Sequence, residues 1–191
     1  MKSLDRSHGS EMSVQRVPGN GYADGTQFKR QQPVRQIAVP ASARALSTLA
    51  HIDYEDAFIV DVGDPRARSG ERWARAIFDE APNSLRLRLW SAWRMLGLRL
   101  APPTSLQHVL GWSIRRKTTE LVLLGADSLI GMPAELLVQR QPDSLLFDTF
   151  VQQSNPIAQA IWAATRPTHE RTLPSVLNHF TRRLCGCERY S

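Results

Sequence analysis

Between Leu106 and Gln152 the chain is a series of short apolar segments whose links are too short to hold a crossover helix. Antiparallel strands joined by hairpins are the arrangement that such links allow. Leu106, His108, Leu110, Trp112 and Ile114 alternate with Gln107, Gly111, Ser113 and Arg115, the period of a strand. A turn at Arg116–Thr118 leads into Glu120–Gly125, and a break at Asp127–Gly131 precedes Met132–Gln139. Gln141-Pro142-Asp143 then turns the chain into Leu145–Gln152.

On either side of this meander the pattern changes. Asp56–Val62 is a compact apolar run closed by Gly63, Asp64 and Pro65, which reads as a strand and turn. Pro40–Leu49 suits a short amphipathic helix. Ser69 is placed to cap a helix over Glu71–Glu80 that Pro82 ends. A longer helix is expected over Leu85–Leu98, with Leu85, Leu89, Ala92, Trp93, Leu96 and Leu100 on its apolar stripe. After the meander, Asn155 is placed to cap a helical region running from Pro156 to Arg183, which Pro167 and Pro174 should divide into two or three pieces. The order is a strand, two helices, an antiparallel meander and a C-terminal helical region, an α+β domain over residues 36–184.

Residues 1–35 contain Leu4, Val14, Val17, Phe28 and Val34 as their only Leu, Ile, Val or Phe, too little apolar surface to offset the entropy of ordering, so a disordered basic tail is expected there. Met12 is an alternative start. The net charge of +6 belongs mostly to the first 45 residues, where seven Lys and Arg face three acids. The body is therefore close to charge balance, which argues against specific nucleic-acid recognition. Arg outnumbers Lys twenty-one to three but is scattered, as a GC-rich genome would also produce. Two cysteines, Cys185 and Cys187 in the last segment (185–191), make no disulfide framework. With no apolar run long enough for a signal peptide or a membrane span, a cytoplasmic protein is expected.

The element order resembles the helix-grip fold of the START or polyketide-cyclase-like (SRPBCC) superfamily. Local text is similar to an uncharacterised actinobacterial branch of it: Asp53-Tyr54-Glu55-Asp56-Ala57-Phe58, Trp73-Ala74-Arg75-Ala76-Ile77-Phe78, Leu110-Gly111-Trp112, Asn155-Pro156 with Ile161-Trp162, and Pro167-Thr168-His169-Glu170-Arg171. The resemblance covers about residues 50–184. It implies a curved antiparallel sheet packed on a C-terminal helix, with an apolar pocket between them and no assigned reaction. Two departures, a sheet short of strands and a helix interrupted by Pro167 and Pro174, argue against a lipid-sized cavity.

No phosphate-binding loop, nucleophile elbow or zinc-protease pattern occurs, and no cofactor is expected. His169-Glu170 has Leu173 where a second zinc histidine would stand. Cys185, Cys187 and His179 supply at most three of the four ligands zinc prefers, so no metal is expected. Trp112, Leu123, Met132, Leu136, Phe147 and Trp162 are the candidate apolar lining of a pocket, and His169 is the candidate polar group at its mouth. Glu135 and Asp148 alternate with Leu136 and Phe147 and should face solvent; a carboxylate turned inward would instead mark a site. Three functions fit. The first is binding of a small hydrophobic molecule. The second is a cyclase, dehydratase or hydrolase using His169 with an inward carboxylate, and the third is an interaction protein that docks through its basic tail.

Overall fold

The computed structural model describes residues 32–187. Residues 1–31 of the expected tail lie outside that range, but the tail's last residues are in a strand: β1 (Val34–Ile37) pairs antiparallel with β2 (Tyr54–Val60), Val34 opposite Val60. The tail boundary at residue 35 is therefore too late. Composition misses β1 because a four-residue edge strand needs only one buried side chain, here Val34.

Between β1 and β2 lies one helical turn, α1 (Ala41–Arg44), shorter than the helix expected over Pro40–Leu49. After β2 come a 3-10 turn (Pro65–Ala67), α2 (Gly70–Phe78) and α3 (Asn83–Met95). Ser69 caps α2 as its sequence predicts, its hydroxyl accepting from the Arg72 N–H at 3.3 Å. The meander follows as β3 (His108–Val109), β4 (Trp112–Lys117), β5 (Leu121–Ala126), β6 (Ala134–Arg140) and β7 (Leu145–Val151), and α4 (Pro156–Cys187) ends the described chain. All pairs are antiparallel, in the order β1-β2-β7-β6-β5-β4-β3. The pairing of β2 with β7 joins the two halves of the chain and sets residues 54–60 beside 145–151. The architecture is α+β and helix-grip-like, a curved open sheet packed against the C-terminal helix, and its seven strands remove the expected shortage.

Two local expectations need correction. The alternation over Leu106–Arg115 is not one strand but the β3–β4 hairpin, whose turn residues Leu110 and Gly111 have φ of 44° and 87°. A two-residue turn of this kind needs positive φ at both positions. Gly111 is required there because a Cβ would lie 2.5 Å from the Ala101 carbonyl oxygen. Leu110 is held by burial of its side chain and by its N–H, which donates to Asp79 Oδ1 at 2.8 Å.

The second correction is α4, one continuous helix through Pro167 and Pro174. Each proline leaves one carbonyl without its helical donor, those of Ala163 and Glu170, and both residues are exposed, so water can satisfy them. On the other side of α4, Ala158 and Trp162 before the half-buried Thr165 and His169, and Leu173, Val176, Leu177 and Phe180 after them, form a stripe buried against the sheet and α2. Packing of that stripe outweighs the local helix-breaking tendency.

The sheet is covered on both faces. Its concave face carries Phe58, Phe147, Leu136 and Trp112 under α2 and α4. Its back face carries Ala57, Leu123, Leu137, Leu146 and Phe150 under Val39, Ala43 and the half-buried Leu46, Leu49 and Ile52. Glu135 and Asp148, expected in solvent, are thus buried, at 2% and 0% exposure, because the segment after β1 covers the face they point to.

Candidate functional site

A cavity of about 350 Å³ lies between the concave face of the sheet, α3 and α4. Sheet register shows how the sequence builds its floor. Asp56, Thr149, Leu136 and Leu124 form one row across β2, β7, β6 and β5, all on the concave side, with Phe58, Phe147, Val138 and Val122 in the next. Phe147, Thr149, Val151, Ala134 and Leu136 line the cavity from this floor. Trp112 closes the β4 end, its ring packed edge-on to Trp93 of α3 at 5.3 Å. Met132 comes from the loop before β6, which Asn155 ties to α4: its Nδ2 donates to the Ile130 carbonyl at 2.9 Å, while its Oδ1 accepts from the Ala158 N–H at 2.9 Å.

Of the seven residues the sequence selects, the structure brings six together: Trp112, Met132, Leu136, Phe147, Trp162 and His169 all line the cavity. Leu123 does not. It sits in the row Ala57–Asp148–Leu137–Leu123, on the back of the sheet. Its place is a matter of register: Leu123 pairs with Leu137, so it cannot share a face with Leu136.

α3 forms the open side. Only Leu89 of its thirteen residues is buried, and Met95, 88% exposed, also lines the cavity. Across the opening, α4 presents Thr165, Thr168, His169 and Thr172, at the i, i+3, i+4, i+7 spacing of one helix face.

His169 is not at a helix break but in the middle of α4, and it has a partner that sequence reading misses. Its Nε2 lies 2.9 Å from Oδ2 of Asp56, a side chain only 2% exposed on β2, and the Tyr54 hydroxyl donates to the same oxygen at 2.9 Å. Two acceptors cannot bond to each other, so beside an ionised Asp56 the neutral form of the imidazole carries its proton on Nε2 and leaves Nδ1 as a lone-pair acceptor. Among the described residues Asp56 is the only hydrogen-bond partner of the His169 ring. Trp162 and Tyr54 pack around the ring, with centroids 5.4 Å and 5.6 Å from it. Burial, then the Asp56 charge, raises the Tyr54 phenol well above its ordinary value, so it stays a donor. The signal for Asp56 is in the sequence: Tyr54, Asp56, Phe58 and Val60 alternate onto one face of β2.

The two other buried carboxylates belong to the back of the sheet. Glu135 accepts from the Ser47 hydroxyl at 2.6 Å, the Thr48 N–H at 3.0 Å and the Thr48 hydroxyl, and so anchors the loop over that face. Asp148 has no partner for either oxygen among the described residues, and burial, followed by the charges of Asp56 and Glu55, pushes its carboxyl up to about 7. Neither lines the cavity. No group of three or more metal-ligating side chains occurs among the described residues, and the side chains of Cys185 and Cys187 lie outside them.

Comparison with known proteins finds no matching family model, no matching curated protein and no matching solved structure. No helix among the described residues is long and apolar enough to cross a membrane.

Proposed function

We propose that this protein binds a small hydrophobic molecule in the cavity between the sheet and α4. The observation that carries the reading is the cavity itself: about 350 Å³, open between α3 and α4, and walled mostly by Trp, Phe, Leu, Met and Val side chains. Apolar concavities with few polar groups are the usual form of small-molecule sites, and exposed apolar surface gathered in one groove is a mark of them. The element order, the closure of β2 on β7 and the long C-terminal helix over a curved sheet support membership of the START or polyketide-cyclase-like superfamily. The cytoplasm is the proposed compartment.

The enzyme reading gains support from one observation, the inward pair His169–Asp56 beside the cavity. An interaction function through the basic tail has no support among the described residues.

Native mass spectrometry of the full chain purified from its host tests the binding reading. A co-purified small molecule is expected on the wild type and not on Leu136→Trp, whose indole would occupy the cavity floor. Bare wild-type protein that also takes up no added aromatic hydrocarbon would overturn it.

A further inference from the structure

Resting on the reading of the cavity as a binding site, we infer that its ligand is an apolar molecule carrying one weakly acidic hydroxyl, phenolic or enolic, and that His169 accepts the proton of that hydroxyl. In this step the ligand O–H bond breaks and an Nδ1–H bond forms. The electron pair stays on the ligand oxygen, and the new imidazolium has Asp56 as its counter-ion at 2.9 Å. Net charge is unchanged and no co-reactant is needed.

Three observations lead there. The hydroxyl and imidazole groups of the cavity are gathered at one place: Thr165, Thr168, His169 and Thr172 on one stripe of α4, with Thr149 on the floor; the other walls are apolar apart from the Trp112 indole N–H, which is buried without a hydrogen-bond partner among the described residues. A ligand's single hydroxyl therefore finds its acceptor at the α4 end. The Asp56 contact then fixes the tautomer, so the group His169 offers is an acceptor and selects a donor. Finally, Asp56 Oδ1 and Thr149 Oγ1, cross-strand neighbours in the floor, are both buried without a hydrogen-bond partner among the described residues. Buried polar atoms in native proteins are almost always paired, and two orphans beside His169 mark an incomplete polar cluster.

Charge decides between ligand classes. Among the described residues no Arg or Lys lines the cavity, and Arg166, which lies over the Tyr54 ring, is engaged by Glu170 at 2.7 Å. A ligand arriving as a carboxylate would meet the negative charge of Asp56 without a free cation to receive it. A hydroxyl arrives neutral and ionises only against Nδ1. Asp56 acts through His169 and is a positioning residue.

The test titrates the full chain with four probes of one shape: naphthalene, 2-naphthol, 2-methoxynaphthalene and 2-naphthoate. 2-Naphthol is expected to bind roughly tenfold or more tightly than naphthalene or its methyl ether, the worth of one hydrogen bond to a group that becomes charged. Bound naphthol excited in its absorption band should emit from the naphtholate, because its photoacidic proton has an acceptor at hand. In His169→Gln, and in Asp56→Asn, whose amide would donate to Nε2 and turn Nδ1 into a donor, naphtholate emission should vanish and the preference fall below about threefold, with naphthalene affinity retained. Equal binding of naphthalene and naphthol, emission from neutral naphthol on the wild type, or tighter binding of the naphthoate would each overturn the proposal while leaving the cavity a binding site. Absence of binding by all four probes would overturn the binding reading itself. If either variant fails to fold, wild-type selectivity and emission still decide.

Discussion

His169→Ala would strip a nearly fully buried carboxylate of its partner, leaving Asp56 with only the Tyr54 hydroxyl. Losing a hydrogen bond to a buried charged group typically costs about 1.5–3 kcal/mol. Because the His169 side chain keeps 22% exposure, the middle of that range applies, and chemical denaturation at neutral pH should show a loss of about 2 kcal/mol. A neutral result would break the assigned pair. Asp148 makes a different prediction. Its carboxyl keeps its proton up to about pH 7 in the folded chain, whereas an unfolded aspartate releases it near pH 4. A group whose folded value is raised contributes stability that is complete at acid pH and is lost as pH climbs from about 4 to about 7. Asp148→Asn cannot ionise and should escape that loss. Relative to wild type it should therefore gain stability across the same window, on the order of 3–4 kcal/mol by pH 8. Parallel stability–pH curves for the two proteins would show that Asp148 is not the buried acid described. Trp112→Ala and Trp162→Ala remove indoles that are 1% and 7% exposed and come from opposite sides of the cavity. Each should cost about 3–5 kcal/mol in the same assay.

Whole elements were more legible in the sequence than their edges. The caps Ser69 and Asn155 stand where the sequence puts them because capping is local chemistry between residues three positions apart. The continuity of α4 was not legible, since it depends on what the buried stripe packs against. Pro167→Ala restores a helical N–H to the exposed Ala163 carbonyl and should leave the melting temperature unchanged or raise it; a drop would mean that the proline bend is needed for packing. β1 was missed for the opposite reason, its single buried residue making no pattern. A chain truncated to begin at Gln36 loses Val34 and half of the pairing with β2, and it should melt below one beginning at Gln32. Equal melting temperatures would make β1 an ornament of the edge. The continuous runs Leu121–Leu124 and Leu145–Phe147 did carry the sign that both faces of the sheet are covered, because a sheet with one wet face alternates. Reading that sign would have placed Glu135 and Asp148 indoors.

At the scale of the molecule, the side chains that make the cavity apolar were recognisable by type, and the partnership that makes one end of it polar was not. Trp112, Met132, Leu136, Phe147 and Trp162 could be chosen because large apolar residues in a meander and its closing helix have few places to go. Asp56 meets His169 only through the pairing of β2 with β7 and the crossing of α4 over both, a contact between residues 113 apart in the chain. No local pattern encodes a meeting of that kind. Entry of an apolar molecule into the space between sheet and α4 is measured by calorimetric titration of the full chain with naphthalene at several temperatures. One molecule should bind per chain with a negative heat-capacity change, the mark of apolar burial, and binding to a folded Leu136→Trp variant should be at least roughly tenfold weaker. Saturation without any naphthalene bound, or affinity unaltered in that variant, would contradict it.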